Sequence, residues 1–144
     1  MREVFLSHAS RDHAKARRLR DLLVGHDVPV WFSPHHIQGA QQWQDEIGAA
    51  LARCEWFMIM LTPAAVRSMW VKRELNCALS EKRYEGQIIP LLFEPCDYRA
   101  LSWTLPQFQF IDFTKDYRQG CEQLLRVWGK RLMAPARRRR RKPR

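Results

Sequence analysis

Trp70 and Glu74, in the stretch SMWVKREL from Ser68 to Leu75, are four residues apart, and residues at that spacing share one face of a helix. A large flat ring beside a lone carboxylate is either a half-exposed surface patch or one wall of a pocket for something flat and positively charged. In the second case two aromatic surfaces near one acid suit a ribosylated pyridinium such as the nicotinamide end of NAD+. Most glycosidases need a second carboxylic acid, because an alkoxide leaves badly without a proton. Nicotinamide leaves as a neutral molecule, so one carboxylate against the ribose is chemically sufficient to hold its hydroxyls and stabilise the sugar cation. Spacing alone leaves both readings open, since most helix glutamates are solvated and a Trp–Glu pair at this interval often arises by chance.

The elements that would have to position these two residues follow from periodicity. EVFLS (Glu3–Ser7) is an apolar run fit for a buried strand. Ser10 is placed to cap the next helix, residues 11–25, with Asp12 in its first turn, Ala16, Leu19, Leu22 and Leu23 inward, and Gly25 as a stop. VPVWF (Val28–Phe32) reads as a second strand, and its proline puts it at a sheet edge. A polar loop, Ser33–Gln42, leads into a helix with Trp43, Ile47, Ala50 and Leu51 at helical period. WFMIML (Trp56–Leu61) is apolar on both faces and reads as a central strand. Thr62-Pro63 offers a cap and a first-position proline. Ser68 offers a second cap, so a short turn at 63–67 and a helix over about 68–83 are expected, with Val71, Leu75, Ala78 and Leu79 inward. Strands at Gln87–Phe93 and Phe108–Phe113 follow, and Thr114 would cap a last helix to about Leu132.

Five alternations of strand and helix call for an α/β fold, flavodoxin-like, with a five-stranded parallel sheet in the order 2-1-3-4-5 and helices on both faces. Ligands in such sheets bind at the carboxyl ends of the strands where the order reverses, here between strands one and three. The loops after Ser7, Phe32 and Leu61 meet there, which selects Ser7, His8, Ala9, Phe32, Ser33, His35, Trp43, Thr62, Trp70 and Glu74 as candidates. His8, following a strand, is more often a loop histidine held by backbone groups than a base.

Several other tenants of this architecture are excluded. There is no G-x-x-x-x-G-K-[ST] cradle, no G-x-G-x-x-G after the first strand and no G-x-S-x-G elbow. A phospho-accepting receiver needs acids at the ends of strands one and three, where this chain has Ser7 and Thr62. The four cysteines lie far apart with no C-x-x-C, and His35-His36 is adjacent rather than helically spaced, so reduced thiols and no metal are expected. The 144 residues suit one domain, 1–134, and 46% hydrophobic residues argue for a folded globule. No apolar run approaches the roughly 20 residues that cross a bilayer, and the start lacks a secretory pattern, so a cytoplasmic protein is expected. Of 25 basic side chains, seven fall in 137–144; without them 18 basic residues face 15 acidic ones, a net of +3. Residues 135–144 therefore read as a disordered basic tail, either merely solubilising or able to touch nucleic acid, anionic lipid or an acidic protein by charge.

Four segments in the right order carry a further signal. EVFLSHASRD resembles the first box of Toll/interleukin-1 receptor (TIR) domains, especially bacterial ones. VWFSPHHIQGAQQWQDEI is similar to their second strand, BB loop and following tryptophan, LTPAAVRSMWVKREL to their Ser-Pro…Trp-x-x-x-Glu segment, and IIPLLF to their fourth strand. The resemblance implies a flavodoxin-like fold and cleavage of NAD+, as substrate and with no cofactor, into nicotinamide and ADP-ribose or a cyclic isomer, in innate immune, anti-phage signalling. It makes Glu74 the catalytic residue and Trp70 its partner, with Ser7, His8, Ala9, Trp31, Phe32, Ser33 and Trp43 around the substrate. It also implies activation by homotypic assembly through the BB loop, 33–42. A surface glutamate at position 74 would tolerate alanine within about 0.5 kcal/mol. The alternative is a non-enzymatic TIR–TIR interaction module. Ser33 stands where the family often has an aspartate, and His35-His36 where acids are common, which bears on substrate orientation and product rather than on the glutamate.

Overall fold

The computed structural model describes residues 3–32 and 40–133, with the backbone alone at 40–43. Strands β1 (Val4–Ser7), β2 (Val30–Phe32), β3 (Trp56–Leu61), β4 (Ile88–Leu92) and β5 (Ile111–Asp112) form one parallel sheet in the order β2-β1-β3-β4-β5. The expected order is the order found. Pro29 ends up just before an edge strand, where its carbonyl accepts from the Val4 N–H at 2.9 Å.

Side chains alternate along each strand and so feed two separate cores. Phe5, Phe57, Ile59 and Leu61 join α2 (Ala40–Arg53), α3 (Pro63–Val66) and α4 (Met69–Ser80) on one face. Val4, Leu6, Met58, Met60 and Leu91 join α1 (His13–Gly25) and α5 (Tyr117–Arg126) on the other. Of the inward residues read from α1 and α4, Leu22 and Leu79 are only partly buried and the rest are fully enclosed.

Helix starts follow local hydrogen bonding rather than residue type alone. Ser10 does not cap α1: residues Ser10–Asp12 form a single 3-10 turn, and Asp12 is buried instead of lying in a solvated first turn. Thr114 does not cap α5 either. The Asp112 carboxylate accepts from both the backbone N–H and the hydroxyl of Thr114, at 2.7 and 2.6 Å, and Asp116 takes over the cap. α5 stops at Arg126 rather than near Leu132, because Gly129 turns left-handed at φ 69° and Lys130 donates back to Leu125.

The fifth strand is two residues long, not six. Phe57 donates to Gln87, Phe93 to Leu61 and Phe113 to Leu92, so odd-numbered residues of β4 face β3 and even-numbered ones face β5. Pro90 therefore turns its missing N–H toward β5, and the ladder begins only opposite Leu91.

Candidate active site

Two consecutive caps start α3 and then α4. The Thr62 hydroxyl accepts from the Ala65 N–H at 3.1 Å with Pro63 in the first helical position, and the Ser68 hydroxyl accepts from the Val71 N–H at 3.2 Å. Both caps were legible in the sequence. They leave Val71, Leu75 and Ala78 against the sheet, and Glu74 is drawn in with them, only 2% exposed.

A buried carboxylate needs hydrogen-bond donors. Ser7, the last residue of β1 and fully buried, supplies one: its hydroxyl donates to Glu74 Oε1 at 2.8 Å. Trp70, one turn earlier, is half-buried against the same core, and the Arg73 guanidinium lies 5.3 Å from its ring centroid. Trp70, Arg73 and Glu74 share a cavity of about 160 Å³ whose opposite wall is α2, through Gln44, Ile47 and Leu51. That is below the roughly 300 Å³ at which drug-sized ligand sites begin; it has room for one small ring system rather than a dinucleotide. Tyr84 steadies this wall, its buried hydroxyl donating to the Leu51 carbonyl at 2.5 Å. Burial, with Cys54 adding to it, pushes the Tyr84 phenol up to about 12, so it stays a donor.

The candidate residues divide between the two faces of the sheet. Ser7 meets Glu74, and Trp31 packs on that face, 5.0 Å from the Phe5 ring, in the core that also holds Ala9 and Trp70. Phe32, one residue on, points the other way. It meets His8 edge-on at 5.3 Å and His13 of α1 at 5.3 Å, with the Arg20 guanidinium 4.5 Å from its centroid. His8 is fully buried, its Nε2 3.4 Å from His13 Nδ1. Thus Phe32, expected around the same substrate as Trp70, belongs to the opposite core. Alternation along β2 makes Trp31 the aromatic on the glutamate's side. Ser33, His35 and the loop at 33–39 lie outside the described residues, as does the side chain of Trp43.

The strand-order reversal itself is closed on the inside. Thr62, after β3, donates to Asp12 Oδ2 at 2.5 Å, and both are buried. The open space lies beside α4 instead. Arg73 and the α2 wall were not among the sequence candidates. A cation three residues after Trp70 and the Ile47–Leu51 pair at one turn's spacing were the signals available for them.

A family model described as TIR domain matches residues 4–125. The TIR domain of the Toll-related receptor TRR-2 from Hydra magnipapillata shares the fold with a TM-score of 0.70 at 19% identity, over 88% of this chain and 97% of that one. The TIR domains of the activated Roq1 resistosome, which directly recognises the pathogen effector XopQ, give 0.67 at 14% identity, over 89% and 99%. No curated protein matches the chain.

Proposed function

We propose that this chain, which belongs to the TIR domain family, cleaves the bond between nicotinamide and ribose in NAD+, with Glu74 as the catalytic carboxylate. The observation that carries the reading is a glutamate buried at the mouth of the sheet, hydrogen-bonded by Ser7 and sharing a ring-sized cavity with Trp70. A solvated surface acid would have none of these features.

In this mechanism the C1′–N bond breaks and its electron pair returns to the ring nitrogen, so nicotinamide departs neutral. The Glu74 carboxylate stabilises the positive charge left on the ribose. Water then adds to C1′ and releases a proton, giving ADP-ribose; an adenine nitrogen adding instead gives a cyclic isomer. NAD+ is consumed as substrate, with no cofactor. Ser7 holds the carboxylate in place, and Trp70 is the surface for the pyridinium. The cavity is smaller than a dinucleotide, which supports a requirement for homotypic assembly through residues 33–42 before the substrate is fully enclosed. A role in immune, anti-phage signalling in the cytoplasm completes the reading.

Purified protein incubated with NAD+ at high concentration, with and without a crowding agent, should release nicotinamide measurable by chromatography. Glu74→Gln should remove at least about a hundredfold of that rate with an unchanged circular dichroism spectrum. Equal rates in the variant would sink the reading.

A second reading, a non-enzymatic TIR–TIR interaction module, is favoured by Arg73, whose guanidinium already lies against the ring a pyridinium would use. Absence of nicotinamide under every assembling condition would decide for it. Under either reading, residues 137–144 add a charge-driven contact with nucleic acid, anionic lipid or an acidic protein.

A further inference from the structure

A second cavity lies away from Glu74. It measures about 690 Å³ and sits at the amino-terminal ends of β3 and β4, under the last turn of α5. Its origin is the missing part of β5. Residues 107–110 run past β4 without joining the ladder, and Ile88, an even-numbered residue, turns its N–H and C=O toward that side with no strand residue opposite. A slot between two chain segments remains open, floored by backbone polar groups.

The side chains around this slot form a set with a definite chemistry. Trp56, packed with the α5 core, supplies a flat apolar surface on the side of Gln123 and Arg126, while Phe108 packs with the opposite core and closes the rim. Gln107, Gln109 and Gln123 each present an amide that both donates and accepts, and Arg126 is the one charged residue on the lining. All four polar residues are exposed, and none makes a side-chain hydrogen bond or ion pair among the described residues. Lys130 and Arg131 follow Arg126 at the end of α5 and add positive potential. The volume falls within the roughly 300–1,000 Å³ range of small-molecule sites.

A ligand that uses every feature has a flat ring, alternating donors and acceptors along its edge, and an anionic group. We propose that this cavity is a second, nucleotide-binding site, with a nucleobase lodged against Trp56, its edge met by the Ile88 backbone and the glutamine amides, and a phosphate held by Arg126. Base–aromatic stacking tolerates any base, so the amides rather than the ring set which one is preferred. This cavity and the Glu74 cavity share no lining residue, so an occupant here would not compete for the Glu74 cavity. The site stands independently of NAD+ cleavage, and failure of either reading leaves the other intact.

Isothermal titration of the full chain with AMP, GMP, CMP and UMP tests the site, with the free nucleosides and inorganic phosphate as separate arms. At least one nucleotide should bind the unmodified chain and Glu74→Gln alike, and more tightly than its nucleoside or phosphate alone. Arg126→Ala should weaken that nucleotide by about tenfold or more and leave the nucleoside unchanged, whereas Gln123→Ala should weaken both. Circular dichroism verifies the fold of each variant, both changes being on exposed residues. No heat from any of the four at millimolar concentration, indifference to both substitutions, loss of binding in Glu74→Gln, or phosphate binding as tightly as the nucleotides would each overturn the proposal.

Discussion

Glu74 shows how burial changes the meaning of a substitution. As a solvated residue it would accept alanine at almost no cost, the expectation from helix spacing; at 2% exposure with the Ser7 hydroxyl donating to it, it is a core group. Glu74→Ala should therefore lower stability by about 1–3 kcal/mol, the cost of leaving a buried donor without its acceptor, and denaturant titration reads this directly. Glu74→Gln keeps an acceptor for Ser7 and should lose far less. Ser7→Ala frees one side of the carboxylate; nicotinamide release should fall about tenfold, with roughly 1 kcal/mol of stability lost. A Ser7→Ala variant with full activity would remove the serine from the positioning role. The Trp70–Glu74 pairing was legible from i, i+4 spacing, whereas the Ser7 contact spans 67 positions of sequence and needs the sheet to exist before it can be seen.

At the level of elements, the central strands and the caps of α3 and α4 were readable, and β5 and the starts of α1 and α5 were not. Thr62 and Ser68 cap the helices that follow them, but Asp112, two residues earlier, diverts Thr114 in a competition between nearby groups, and Pro90 shortens the β4–β5 ladder because of the side it turns to a strand distant in sequence. Phe32 was misplaced relative to Trp70 for a related reason: position in the chain fixed its strand, but only the face of β2 fixed its partners. Two helix glycines separate local from tertiary effects. A Cβ on Gly48 in α2 meets nothing within 4 Å, so Gly48→Ala should raise stability by about 0.5–1 kcal/mol. A Cβ on Gly120 in α5 would lie 2.4 Å from the Phe113 ring, which packs at 4.5 Å on Phe93. Gly120→Ala should lower stability by about 1–3 kcal/mol despite the better helix former, and thermal unfolding of the two variants should move in opposite directions. The layer containing α2 also gives a pH signature. Burial raises the Cys54 thiol from 9.0 to about 12 and the Tyr84 phenol from 10.0 to about 12. Above about pH 9 the unfolded chain gives up these protons while the folded one keeps them. Stability is thus full below pH 9 and falls as pH rises toward about 12. Urea midpoints at increasing pH should follow that decline, and Tyr84→Phe should flatten its upper part.

For the molecule as a whole, charge is the separable feature. The segment 137–144 holds seven of the 25 basic side chains, and removing it should abolish whatever polyanion binding the chain has. The logarithm of affinity should fall against that of salt with a slope up to about 6 for duplex DNA; binding that survives the deletion would place the contact on the folded surface. No described helix is long and apolar enough to cross a membrane. The two margins of the sheet are short, three residues in β2 and two in β5, and unpaired strand backbone is the usual template for runaway stacking. A protein proposed to work when its copies crowd together faces that hazard at the moment of activation. Margins this brief offer a neighbour almost nothing to zip onto, so crowding can be undone by dilution instead of maturing into fibrils.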